Sequence, residues 1–218
     1  MTRRSRRAVT AAIVGVGAAL VLLPSLAPAT IEEQRTRLPP PATCQDPIEG
    51  IWMSHKYEIP GDEWMIFTLE IHRAPGSVVN GPPGTVIPLI GHIQAHAWLG
   101  AGSQASAPPP CSSSISHWTV EMTAEGRVVD QRVDFWGTRW AVGNVFCGPR
   151  NFGYNLDHFS GVIDPTIQEF QSVNNDGGRA VNDPTVFRRV RCFDPVSPPH
   201  PFVAPPTFQP PHRSGCSR

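Results

Sequence analysis

Between Ser172 and Pro184 the chain reads Ser-Val-Asn-Asn-Asp-Gly-Gly-Arg-Ala-Val-Asn-Asp-Pro, its densest run of groups suited to holding a ligand. Asparagine and aspartate supply oxygens and amide donors, and glycine permits the left-handed backbone that a tight loop needs. Asn174, Asn175, Asp176 and Arg179 are therefore the candidate ligand contacts, with Arg179 as an anion contact. Calcium is a second chemistry for such oxygens. The D-x-D-x-D-G pattern with its distal glutamate is absent, however, and no metal is expected. The competing reading is a long hairpin connection that uses these residue types only to turn.

Other constellations carry less. His92, Gln94, His96 and Trp98 alternate, which puts them on one face of a strand. Histidines four residues apart on a strand are roughly 13 Å from each other, too far to share one metal. The row either lines a polar cavity or forms a solvated outer face. Asp130, Arg132 and Asp134 alternate in the same way and read as a ladder of surface charges. Asp157, His158 and Ser160 are the residue types of a hydrolase, but on a strand Asp157 points away from the other two, and no G-x-S-x-G elbow surrounds the serine. No catalytic residue and no cofactor is assigned, and the chain reads as a non-enzyme.

The elements that must position these residues are short runs of β-branched and aromatic residues divided by Gly, Pro, Asn and Asp. Strands are expected at 50–59, 63–73, 86–99, 116–124, 127–136, 139–147, 154–163, 169–173 and 185–193, with tight turns at 59–62, 124–126 and 136–137. Met65, Phe67, Leu69 and Ile71 share one face of their strand, and Trp118, Val120 and Met122 share one face of theirs. No amphipathic helix stands out. Many short strands in sequence predict an all-β, antiparallel up-and-down barrel, with a β-sandwich as the alternative.

The ends differ from this domain. Residues 1–29 have a cationic start (Arg3, Arg4, Arg6, Arg7), an apolar stretch from Ala8 to Leu23, and Ala27-Pro28-Ala29. That is the plan of a secretory signal cleaved after Ala29, with an uncleaved membrane anchor as the alternative. Residues 30–43, with Pro39-Pro40-Pro41, read as an extended tether, and residues 194–218 as a Pro-rich disordered tail. The folded domain is thus 44–193. Without the four leader arginines, the 18 basic residues fall to 14 against 18 acidic, a net charge of −4. That excludes a nucleic-acid surface and leaves membrane contact only through a retained leader.

Five cysteines occur, at 44, 111, 147, 192 and 216. Behind an export signal they read as disulfides with one left over. A zinc site would need C-x₂₋₄-C spacing, which is absent. Closing an up-and-down barrel makes the first and last strands neighbours, so Cys44–Cys192 is expected, and Cys111–Cys147 by elimination. Cys216 is left free or pairs with another molecule.

Gly50-Ile51-Trp52 opens the first strand and Phe187-Arg188-Arg189-Val190 occupies the last. In these two motifs the chain resembles the calycin superfamily of lipocalin-like barrels. The resemblance implies that an arginine of the last strand packs on Trp52 and closes one barrel mouth. Arg188 shares strand parity with Val186 and Val190, so it is expected in that role ahead of Arg189. The resemblance also implies a binding protein for a small, mostly apolar ligand. An envelope-structural or protein-interaction module with Pro-rich arms is the alternative. Since the 174–184 loop enters the last strand, it should lie at the end opposite Trp52, beside the ligand pocket.

Overall fold

The structure, a computed structural model, describes residues 30–79 and 81–193. The expectations for residues 1–29 (a secretory signal), for residues 194–218 (a Pro-rich tail) and for Cys216 lie outside the described residues. Helix α1 (Ile31–Arg37) precedes nine strands: β1 (Gly50–Met53), β2 (Lys56–Glu58), β3 (Glu63–Arg73), β4 (Val86–Leu99), β5 (Ser116–Val129), β6 (Arg132–Cys147), β7 (His158–Asp164), β8 (Glu169–Asn174) and β9 (Asp183–Arg191). Every strand from β3 to β9 pairs antiparallel with its sequence neighbours. β1 bridges the gap, pairing with β3 on one side and β9 on the other. The result is one closed sheet, an eight-strand up-and-down barrel and not a sandwich, with β2 as an extra strand further along β3.

Period-two alternation puts the large apolar residues inside. Met65, Phe67, Leu69 and Ile71 of β3 join Ile93, Ala95 and Ala97 of β4, and Trp118, Val120 and Met122 of β5, in one interior cluster. Phe67, Phe159 and Phe187 meet edge-on at about 5 Å and fill the middle of the barrel. The two disulfides are the expected ones. Cys44–Cys192 ties the strand ends around the barrel closure, and Cys111–Cys147 ties the β4–β5 connection to the end of β6.

Four expectations need correction. The turns at 124–126 and 136–137 do not form; β5 and β6 run on as one long hairpin that turns at Asp130, whose φ is 56°. The glycines there mark close approach. A Cβ on Gly126 would lie 2.7 Å from the Phe135 ring, and one on Gly137, at a bulge, 2.7 Å from Met122 Sδ. Residues 154–157, expected in a strand, precede β7 and lie off the ladder. The tether is not simply extended, because Ile31–Arg37 forms a helix started by a Thr30/Glu33 capping box. Its Gln34 side chain donates to Pro184 O (2.9 Å) and accepts from Val186 N (2.9 Å), completing the β9 edge that short β1 leaves uncovered.

That helix also explains the fourth correction. Arg189, not Arg188, closes the barrel. Arg189 shares the inner face with Phe187, is fully buried, and sits 4.9 Å from the Trp52 ring. Val186, which suggested the opposite parity, is buried on the outside, where α1 packs on β9. Arg188 also points outwards, to Glu169 Oε1 at 2.8 Å and to the carbonyls of Leu38 and Pro39.

Candidate functional site

The end of the barrel away from Trp52 holds a cavity of about 320 Å³. Its depth is set by β3, where Phe67, one inward position above Leu69, forms part of the base and Met65 and Glu63 climb the wall. Trp118 of β5 stands across from them. The segment before β7 folds over the opening and contributes Phe152 and Tyr154, whose rings lie 4.9 and 5.6 Å from that of Trp118. Apolar and aromatic groups therefore line the interior, and polar groups gather at the rim.

The rim is acidic. Asp157 is only 3% exposed, and it accepts from the Tyr154 hydroxyl (2.9 Å) and from Asn174 Nδ2 (2.7 Å). Burial outweighs these two neutral donors and pushes its carboxyl up to about 7. Tyr154, half-buried beside that carboxylate, is pushed well above the usual phenol range by desolvation and by the neighbouring charge. Glu63 is also raised by burial, against the pull of Arg179, whose guanidinium lies 2.8 Å from Glu63 and 3.3 Å from Glu58. Lys56 binds the other side of Glu58 at 3.1 Å and contacts Asp183. Beyond Arg179 and Ala180 a second groove of about 570 Å³ runs between α1 and the β8–β9 loop.

Three of the four residues expected to contact a ligand line the cavity: Asn174, Asp176 and Arg179. Asn174 holds Asp157 and accepts from His158 N (3.1 Å). Asp176 folds the loop by accepting from Gly178 N (2.7 Å) and Ala180 N (2.9 Å). Asn175 does not line the cavity; its side-chain Oδ1 accepts from Asn182 N (2.8 Å), because the loop needs it to turn. Arg179 faces two carboxylates, so its charge is already matched and it does not present the anion contact expected. Tyr154, Glu58 and Glu63 escaped the sequence reading, and Asp157 was weighed there only for a hydrolase triad. The signal for Asp157 was there: its parity opposite His158 and Ser160 puts it on the inner face. His158 indeed faces outwards, to Asp134 Oδ1 at 2.5 Å, and no hydrolase triad assembles.

The His92, Gln94 and His96 row lies on the outer face, opposite inward Ile93, Ala95 and Ala97. It is not simply solvated. The connection through residues 100–115 covers its upper part, where Gly102 and Ala105 carbonyls accept from Trp64 Nε1 (3.0 Å) and Trp98 Nε1 (2.8 Å). His96 and His117 share a 2.7 Å hydrogen bond between their Nε2 atoms. Burial lowers His55 and His96 to about 4, and lowers His117 as well. Among the described residues, no three His, Cys, Asp or Glu side chains are grouped to hold a metal ion, and no helix is long and apolar enough to cross a membrane. Comparison of the chain with protein-family models, with curated proteins and with solved structures finds no match.

Proposed function

We propose that this chain is an exported, calycin-like binding protein that holds a small, mostly apolar ligand in the open end of its barrel. The cavity carries this reading. At about 320 Å³, with an aromatic interior and a few convergent polar groups at the rim, it has the size and lining of a small-molecule site. The opposite end is plugged by Trp52 and Arg189, and the phenylalanine cluster fills the middle, so a ligand has one way in. Two disulfides fit an oxidising compartment, in line with the secretory plan of residues 1–29. Calycin-like closure is supported by an arginine of the last strand lying over the tryptophan of the first.

The test is titration with N-phenylnaphthylamine, a neutral apolar fluorophore, monitored by its emission and by quenching of tryptophan. Saturable 1:1 binding is expected. Gly153 lines the cavity and has open space around the position of a Cβ, so Gly153→Trp places an indole at the opening with no clash at its Cβ. It should weaken binding at least tenfold at unchanged melting temperature. No saturable binding, or binding indifferent to Gly153→Trp, contradicts the proposal.

A further inference from the structure

The polar rim has a charge of its own, and that charge narrows the ligand class. Four carboxylates line the cavity, Glu58, Glu63, Asp157 and Asp176, and Arg179 is the one cationic side chain lining it among the described residues. These are not solvated surface acids: Asp157 is 3% exposed and the Glu63 side chain 5%. A carboxylate taken out of water needs a compensating charge or a full set of donors. Arg179, whose side chain is half exposed, supplies one for Glu58 and Glu63, and Lys56 pairs with Glu58 from the other side. Asp157, deeper, is held by a phenol and an amide, which orient it but do not neutralise it.

The wall below this rim is independently suited to a cation. Phe67, Trp118, Phe152 and Tyr154 present ring systems to the same space. Aromatic faces attract ammonium and guanidinium groups, most strongly where water is excluded. An anionic ligand would meet four like charges and gain one contact, with an arginine already engaged. A neutral ligand would bury Asp157 further and leave it uncompensated.

We propose that the ligand of this cavity is a small aromatic or apolar amine, bound with its protonated nitrogen at Asp157 and Glu63 and its body against Trp118 and Phe67. This rests on the cavity being a binding site and adds the class of head group. The ammonium donates to carboxylates that line the cavity; each carboxylate oxygen accepts two hydrogen bonds, so Tyr154 and Asn174 keep their places. Arg179 stays at the outer rim, closing the β8–β9 loop over the head group.

Three probes of one shape and different charge decide it by calorimetry: phenethylamine, phenethyl alcohol and hydrocinnamate. The amine is expected to bind at least tenfold more tightly than the alcohol, and hydrocinnamate not at all. Glu63→Gln and Asp157→Asn should each remove most of the amine's advantage over the alcohol, whose affinity is measured in the same variants. If either variant fails to fold, the other carries the test. Equal binding of amine and alcohol, or tighter binding of hydrocinnamate, overturns the amine assignment and leaves the cavity reading intact. Failure of all three probes together with N-phenylnaphthylamine overturns both.

Discussion

The two ends of the barrel bury charge in opposite ways. At the closed end Arg189 is fully buried, yet its guanidinium is satisfied. Nε donates to Gln168 Oε1 (2.8 Å), Nη1 to the carbonyls of Glu49 (3.1 Å) and Asp46, Nη2 again to Gln168, and its face lies over Trp52. Burial lowers its pKa, but a guanidinium stays charged. At the open end, carboxylates outnumber cations around a space that is not filled. The difference lies in the partners: the Arg189 charge is saturated by the chain's own groups, whereas Asp157 is met only by a phenol and an amide.

Trp52→Ala is the largest blow to this comparison. It empties the floor and should cost about 3–5 kcal/mol of unfolding free energy in a denaturant titration. Arg189→Met should cost about as much, since it strands two backbone carbonyls and the Gln168 oxygen. Arg188→Met, on the outer face, should cost about 1 kcal/mol. Equal losses at 188 and 189 would end the claim that Arg189 is the closing residue.

Acidification tests the open end by sign. His55 and His96 have folded values near 4 against 6.5, so their contribution is complete above pH 6.5 and is lost as pH falls towards 4. Asp157 works the other way. Its folded value near 7, against 3.8, makes its ionised form a cost above pH 7 that is relieved as pH falls towards 3.8. The slopes oppose, each of order 1 kcal/mol per pH unit per group. Asp157→Asn should therefore lose stability more steeply than the parent chain between pH 6.5 and 4. A shallower acid loss would mean that Asp157 is ionised and compensated within the fold.

Arg179→Ala should have the smallest effect on stability, under about 1 kcal/mol by thermal melting, because the side chain is half exposed and its ion pairs are screened. A loss as large as that of Arg189→Met would make the β8–β9 loop structural, and the two ends alike.

The barrel was legible in the sequence because alternation survives in β3 and β5, where Met65 to Ile71 and Trp118 to Met122 face inwards as their spacing says. Glycine was ambiguous. Gly126 and Gly137 read as turns, whereas they stand where a ring and a thioether come too close for a Cβ. Parity also misled at Val186, since burial under a helix and burial inside a barrel look the same in one dimension. The loop residues Asn174, Asp176 and Arg179 were found by type. Glu58, Glu63 and Tyr154 were not, because only the closed sheet and the segment folded over it bring them to one opening. The Trp64–Trp98 layer under residues 100–115 was invisible for the same reason: both faces of those strands are covered.

The most direct test of the binding account is a methyl NMR titration of the disulfide-bonded protein, labelled at the methionine methyls, with phenethylamine. Met65 lines the cavity, Met122 lies in the packed interior, and Met53 follows Trp52 on β1. The account predicts a saturable shift at Met65, with Met53 unmoved. A shift confined to Met53, or no shift at Met65 at saturating amine, would contradict it.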